Sequence, residues 1–271
     1  MRASCFSTYM RPDILCGKPM KLLLKISYLG TLFCGYQVQK DKRTVQGELN
    51  SAAKSLFGFD CDITGCSRTD SGVHANMFCC TVTKRGEQDI QTDIPIEKLP
   101  RAMTAHLPTD IAVYDAEWVN DDFHARYDVV YKEYEYLICN ASVRDPFLEG
   151  RAWYIAQRFT DADIERMAEA ARIFVGEYDF SAFMAQGSTV ASTVRCVKYA
   201  TVEKCGNVIR FRVAADGFLY NMVRIMTGTL VAVAQGKLCA DDVEGIIKSR
   251  NRAEAGMTAP PEGLYLNKVV Y

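Results

Sequence analysis

Histidine is scarce in this sequence: 271 residues hold only His74, His106 and His124, none of them next to a cysteine. No Cys-x-x-Cys pair occurs, and the eleven cysteines are odd in number. Zinc-ligand spacing is therefore missing, and so is a disulfide framework. The cysteines read as small apolar fillers in a reduced, cytoplasmic chain, and no metal is expected. Charge of one sign is also lacking. The formal net charge of -1 excludes a generally basic nucleic-acid binder and leaves only a local basic groove. No apolar run reaches the length that spans a bilayer. Neither GxxxxGK[ST] nor GxGxxG is present, which removes the usual nucleotide-phosphate folds. GxSxG is absent, against a serine hydrolase, and no H-x-E is joined to P-C-x-x-C, against a zinc deaminase.

What is present points to a folded enzyme-sized chain. Hydrophobic residues make up 49%, enough for one large domain or two modest ones. Residues 1–19 show no continuous apolar stretch, and Met20 directly precedes the first strand; the extension is expected to be a loose tail or a start codon assigned too early. Lys21 to Tyr28 predicts a strand. Val45 to Phe57 predicts a helix, with Val45, Leu49, Ala52 and Leu56 on one stripe and Thr44 as its cap. Residues 73–84 and 110–119 read as strands on either side of a short helix over 95–108. In "VVYKEYEYLI", Val130, Lys132, Tyr134, Tyr136 and Ile138 share one face and Tyr131, Glu133 and Glu135 the other. A helix follows Thr160, with Asp163 completing the cap and Gly176 as the stop. Then come a hairpin around "EKCGN", a long apolar helix over 218–234, a polar helix from Asp241 to about Arg250, and a last strand, "GLYLNKVVY". Mixed strands and helices in both halves predict an α+β fold in two lobes, 20–124 and 125–271.

The candidate chemistry starts at "GCSRTDSGVHANMF". Asp70 is either a turn aspartate bonding its own backbone beside Gly72, or a carboxylate presented to a substrate on a loop. Arg68 is placed to pair with it and hold it ionised. Tyr134 is either aromatic core or a ring that stacks on a base and offers a phenol. Arg224 interrupts the apolar "MVRIM". It is either a solvated arginine or an enclosed one that needs a carboxylate. Lys40, Lys42, Arg43 and Arg126 are loop cations, either surface charge or RNA phosphate contacts.

Together these stretches carry a resemblance. "KLLLKISYLGTLFCGYQVQ", "RTVQGEL", "SRTDSGVHA", "LPTDIAV", "DDFHARY", "YKEYEY", "GEYDFSAF", "FLYNMVRIMTG" and "EGLYL" occur in the order and spacing of the TruA-type tRNA pseudouridine synthases. The likeness covers residues 20–271. Ser67 stands where that family usually has glycine, and Tyr36 where it usually has tryptophan. The resemblance implies a two-lobed pseudouridine synthase fold with mixed or antiparallel sheets flanked by helices and a cleft between the lobes. It also implies a homodimer, and a substrate, the anticodon stem-loop of tRNA, whose uridines at positions 38–40 are isomerised without cofactor or metal. By the same resemblance Asp70 is the catalytic aspartate, Arg68 its neighbour in the motif, Arg224 the arginine that pairs with the aspartate, and Tyr134 the residue that contacts the target base.

Two other classes compete: a nucleoside or base glycosidase, which needs a second placed carboxylate, and a non-catalytic RNA-binding module, which lacks an RNP1-like string here. A shared need for charge compensation predicts that Arg224 and Asp70, 154 residues apart, meet within about 6 Å, with Tyr134 lining the same cleft.

Overall fold

The computed structural model describes residues 20–187 and 190–271. The expectation for residues 1–19 lies outside them. In chain order the elements are β1 (Met20–Tyr28), α1 (Val45–Phe57), β2 (Cys61–Gly65), β3 (His74–Lys84), α2 (Leu99–Thr104), β4 (Ile111–Asn120), β5 (Tyr131–Cys139), β6 (Trp153–Tyr154), α3 (Asp161–Ile173), β7 (Gly176–Asp179), β8 (Val194–Cys205), β9 (Val208–Ala215), α4 (Met222–Ala234), α5 (Asp242–Ser249) and β10 (Leu264–Val270).

Local rules account for most of these. Thr44 accepts the Gly47 N–H at the start of α1, and Gly58 closes its end at φ 79°. Thr160 and Asp163 form a reciprocal capping box on α3. The β8–β9 hairpin turns at Gly206, whose positive φ suits glycine.

Among the described residues ten strands share one sheet, in the order β4-β1-β3-β10-β5-β9-β8-β7, with β2 also on β3 and β6 on β5. The fold is α+β, as expected, and the sheet is mixed. The seam is made by the last strand of the chain: β10 runs parallel to β3 at Tyr265–His74 and antiparallel to β5 from Leu264–Tyr136 onward. Elements from both halves of the sequence thereby become neighbours. Beyond the seam, α3 and α4 pack on each other, α3 on β8 and α4 on β5.

Strand β1 is buried at Leu22, Leu23, Leu24 and Ile26, on both faces, and β3 and β4 pair its two edges. Each such side chain contributes roughly 1.5–3 kcal/mol. Strand β5 is likewise buried on both faces at its centre, Glu133 and Glu135 included. Their charges are met locally: Arg212 Nε donates to Glu135 at 2.7 Å, Arg210 lies 3.0 Å from the same carboxylate, and Tyr199 and Asn267 donate to Glu133. Among the described residues the cysteines are free, and Cys61, Cys66, Cys79, Cys80 and Cys139 are buried as fillers.

Two boundaries differ from expectation, the first being the helix predicted over 95–108, which is the shorter α2, Leu99–Thr104. The apolar helix begins at Met222, not near Phe218, because Asn221 adopts φ 59° and breaks the helical path.

Candidate active site

The connection from β2 back to β3, residues 66–73, carries Asp70. The loop is tied down along its length. The Cys66 N–H donates to the Cys79 carbonyl at 2.8 Å, and Lys132 Nζ, on β5, donates to the Cys66 carbonyl at 2.6 Å. The hydroxyls of Tyr28 and Thr69 meet at 2.8 Å, and the Tyr36 N–H donates to the Thr69 carbonyl. Ser71 Oγ donates to the Phe33 carbonyl. Asp70 closes the turn through its backbone, its carbonyl accepting from Val73 N at 3.2 Å, while Gly72 takes φ 79°. The carboxylate itself accepts no hydrogen bond among the described residues. Of the two readings of Asp70, the turn uses the main chain and leaves the acid free.

The partner of that acid comes from α4. Arg224 Nη1 lies 3.9 Å from Asp70 Oδ2, with the two side chains 15% and 36% exposed. The guanidinium is aimed by two shorter bonds: Nε donates to the Ala259 carbonyl and Nη1 to Asn221 Oδ1, both at 2.7 Å. The Ala259 N–H in turn donates to the Arg224 carbonyl at 3.1 Å. Segment 256–259 can lie this close because α4 has glycine facing it. A Cβ on Gly228 would stand 1.8 Å from the Met257 carbonyl oxygen. The predicted meeting of Asp70 and Arg224 is therefore present, and Arg224 is enclosed rather than solvated.

Burial pushes the Asp70 carboxyl above its ordinary range, and the Arg224 charge pulls the other way without cancelling it. This corrects the expectation of a carboxylate held down by its cations. Desolvation is the larger effect, and among the described residues Arg224 is the one cation paired with it. Arg68 is exposed and forms no ion pair with Asp70, since between them Thr69 turns inward to Tyr28.

Tyr134, 7% exposed, sits at the same place. Its hydroxyl is 3.3 Å from Ser67 Oγ, and its ring meets Phe218 edge-on at 5.0 Å. Burial drives its phenol well above the ordinary tyrosine range, with the Asp70 charge adding to the effect, so the hydroxyl stays protonated. Burial likewise lowers Lys132 and raises the Cys66 thiol to about 11, which keeps that thiol from acting as a nucleophile near neutral pH.

The loop cations separate into two kinds. Arg43 is not available to a phosphate. It donates to both Asp110 oxygens at 2.8 and 3.0 Å and to Glu48 at 3.0 Å, with its guanidinium over the Phe33 ring. Lys40, Lys42 and Arg126 are exposed. Tyr36, in place of the expected tryptophan, stacks on Phe78 at 4.3 Å.

Sequence reasoning missed Lys132, Asn221 and Phe218. The available signals were a lysine inside an aromatic strand face and an asparagine just before an apolar helix. His74, in the same motif as Asp70, is structural. It is fully buried, accepts the Gly30 N–H on Nδ1 at 2.8 Å, and bonds the Glu262 carbonyl through Nε2 at 3.0 Å. That pair of partners fixes its proton on Nε2, and burial lowers its pKa.

The sequence profile of the family described as tRNA pseudouridine synthase matches residues 25–128 and 170–271. That match, over most of the chain, places it among the pseudouridine synthases, which are isomerases. Among curated proteins, the tRNA pseudouridine synthase A of Thermoanaerobacter sp. (strain X514) is 43% identical over 250 residues, covering 92% of this chain and 99% of its own. The protein of the same name from Bacillus licheniformis is 42% identical over 254 residues, covering 93% and 99%. The chain belongs to the tRNA pseudouridine synthase family. Among solved structures, a chain of a Cbf5-Nop10-Gar1 complex aligns over 90% of this chain and 57% of its own, at a TM-score of 0.33 and 14% identity, too distant to bear on function.

Proposed function

We propose that the chain converts uridine to pseudouridine at positions 38–40 of the anticodon stem-loop of tRNA, with Asp70 as the catalytic carboxylate. The observation that carries this is the free Asp70 carboxylate 3.9 Å from the enclosed Arg224 guanidinium, on a loop tied at both ends. In the reaction the bond from N1 to the sugar carbon breaks, the base turns, and C5 bonds to that carbon. The proton leaving C5 balances the one gained at N1. Nothing is oxidised or added, so the chemistry asks for no cofactor.

Both routes open to Asp70, attack at the sugar carbon and abstraction of a sugar proton, require the ionised form. Arg224 supports that form and orients it. Tyr134, kept protonated, offers a hydroxyl and a ring edge to the target base once it has left its stack. Arg68, two residues from Asp70 and exposed, joins Lys40, Lys42 and Arg126 as a cation for the RNA backbone. On this reading residues 20–124 and 125–271 act as two lobes about the β10 seam, the first presenting Asp70 and the second Arg224 and Tyr134. Two chains work as a dimer in the cytoplasm. Among the described residues no helix is long and apolar enough to cross a membrane.

The test is Asp70→Asn on unmodified tRNA. The amide keeps the size and removes the nucleophile or base. Pseudouridine formation is expected to vanish while tRNA binding stays within a few-fold of wild type. Substantial residual turnover refutes the assignment of Asp70. Wild-type protein that releases free uracil acts as a glycosidase instead, and one that yields neither product is a binding module.

A further inference from the structure

The segment between β4 and β5 displays an aromatic ring that the catalytic reading does not use. Tyr127 is 73% exposed. A ring in water normally reflects a loose loop, and this loop is not loose. Lys21 Nζ donates to the Phe123 carbonyl at 3.0 Å, and Phe123 packs edge-on against Tyr271 at 4.9 Å. Ala125 is fully buried, with its carbonyl accepting the Tyr271 hydroxyl at 2.8 Å. The His124 N–H donates to Asp128 Oδ2, and the N–H groups of both Tyr127 and Asp128 donate to the His124 carbonyl. Backbone order is thus in place before any ligand arrives, and the ring is left outside it.

Its neighbours are chosen from donors. The His124 ring lies 4.2 Å from the Tyr127 ring, tilted by 33°, and the Arg126 guanidinium carbon is 5.7 Å from the ring centroid. His124 Nδ1 accepts from the Arg126 and Tyr127 N–H groups at 3.1 and 3.3 Å, so a neutral ring carries its proton on Nε2. An exposed aromatic ring, an imidazole N–H and a guanidinium form the set that takes a nucleobase by stacking and its phosphate by charge.

The position is beside the catalytic loop. Tyr271, whose hydroxyl holds the Ala125 carbonyl, follows directly on β10, whose Val269 pairs with Lys132 on β5. Lys132 Nζ in turn donates to the Cys66 carbonyl at the start of the Asp70 loop. We propose that Tyr127, with Arg126 and His124, is a stacking platform for an unpaired nucleotide of the RNA substrate next to the uridine being isomerised. The inference rests on the proposed function and names a binding site for that same RNA outside the catalytic contacts.

The experiment compares Tyr127→Leu, Tyr127→Trp and Arg126→Gln with wild type, in tRNA binding and steady-state kinetics, with solution mass measured alongside. Stacking on an aromatic is worth about 5- to 150-fold in affinity per base. Tyr127→Leu is expected to weaken binding by at least about fivefold, with the loss falling in Kd and KM and not in kcat. Tyr127→Trp restores it because the stacking surface returns. Arg126→Gln flattens the dependence of binding on salt by about one phosphate contact. Unchanged binding by Tyr127→Leu overturns the proposal, and so does failure of tryptophan to rescue. Normal RNA binding with a changed solution mass assigns the ring to a contact between copies, which also overturns it. Wild-type protein that makes no pseudouridine defeats the underlying function instead, so the two failures are distinct.

Discussion

Replacing Arg224 by lysine keeps the charge and removes the fork. In the structure the guanidinium spends Nε on the Ala259 carbonyl and Nη1 on Asn221, and only with both in place does Nη1 stand 3.9 Å from Asp70. A single ammonium cannot occupy the positions of both nitrogens. At least one charge-assisted bond is lost, at about 1.5–3 kcal/mol. For a chain of this size that lowers the melting temperature by roughly 3–12 °C. Arg224→Gln asks a different question, because it removes the charge. The attraction at this distance lies between about 1 kcal/mol in water and ~4 kcal/mol at an effective dielectric of about 20. The 36% exposure of Asp70 puts it toward the lower end.

The sign of the pH effect follows. Burial raises the Asp70 carboxyl above its ordinary range, so between the unfolded and folded values the native chain holds more proton than the unfolded one. Stability therefore falls as pH rises through that window, while activity, which on the proposed mechanism needs the carboxylate, is expected to rise through it. Removing Arg224 moves both changes to higher pH. The assay is single-turnover pseudouridine formation on unmodified tRNA across an acidic pH series, paired with thermal melts. Arg224→Lys with wild-type melting temperature and rate would refute the argument. An acidic limb in Arg224→Gln at or below its wild-type position would refute it equally.

Two further expectations test the supports of the site. Gly228→Ala forces α4 and segment 256–259 apart, because the new Cβ would lie 1.8 Å from the Met257 oxygen. Overpacking of this kind costs about 1–3 kcal/mol, and since Ala259 aims Arg224, activity is expected to drop as well. Denaturant midpoints and rates measured together check this, and an unperturbed rate in a destabilised protein would separate the two effects. Ser67→Ala removes the hydroxyl 3.3 Å from Tyr134, a contact worth about 0.5–1.5 kcal/mol. It should lower kcat/KM by a few-fold, yet have no further effect in a Tyr134→Phe background. Additive losses in that cycle would show that the two hydroxyls act independently.

Several parts of the molecule were legible in one dimension. Thr44 caps α1 and Thr160 with Asp163 caps α3 because such bonds join residues three apart in the chain. Alternation in Ile209, Phe211 and Val213 marks β9 for the same reason: pleat and side-chain direction are local properties. The motif that bears Asp70 was readable as a turn with a polar surplus. The meeting of Asp70 with Arg224 was legible through the family resemblance, which pairs the two, and charge compensation supplied its physical reason. Less local features were not legible. Arg43, which reads as a loop cation, is captured by Asp110 from a distant loop. α4 starts late because one asparagine takes a left-handed conformation.

By itself, then, the sequence determined the caps, the strand faces, the turn that bears Asp70 and the family whose motifs it repeats, all set by near-neighbour hydrogen bonds and periodicity. Only the tertiary structure decided that β10 enters between β3 and β5, which brings the first and last thirds of the chain to one seam. It also decided which cations remain free and that burial outweighs the arginine at Asp70. Desolvation and ion pairing depend on what surrounds a group in space, and for these residues the surroundings come from segments far away in the chain.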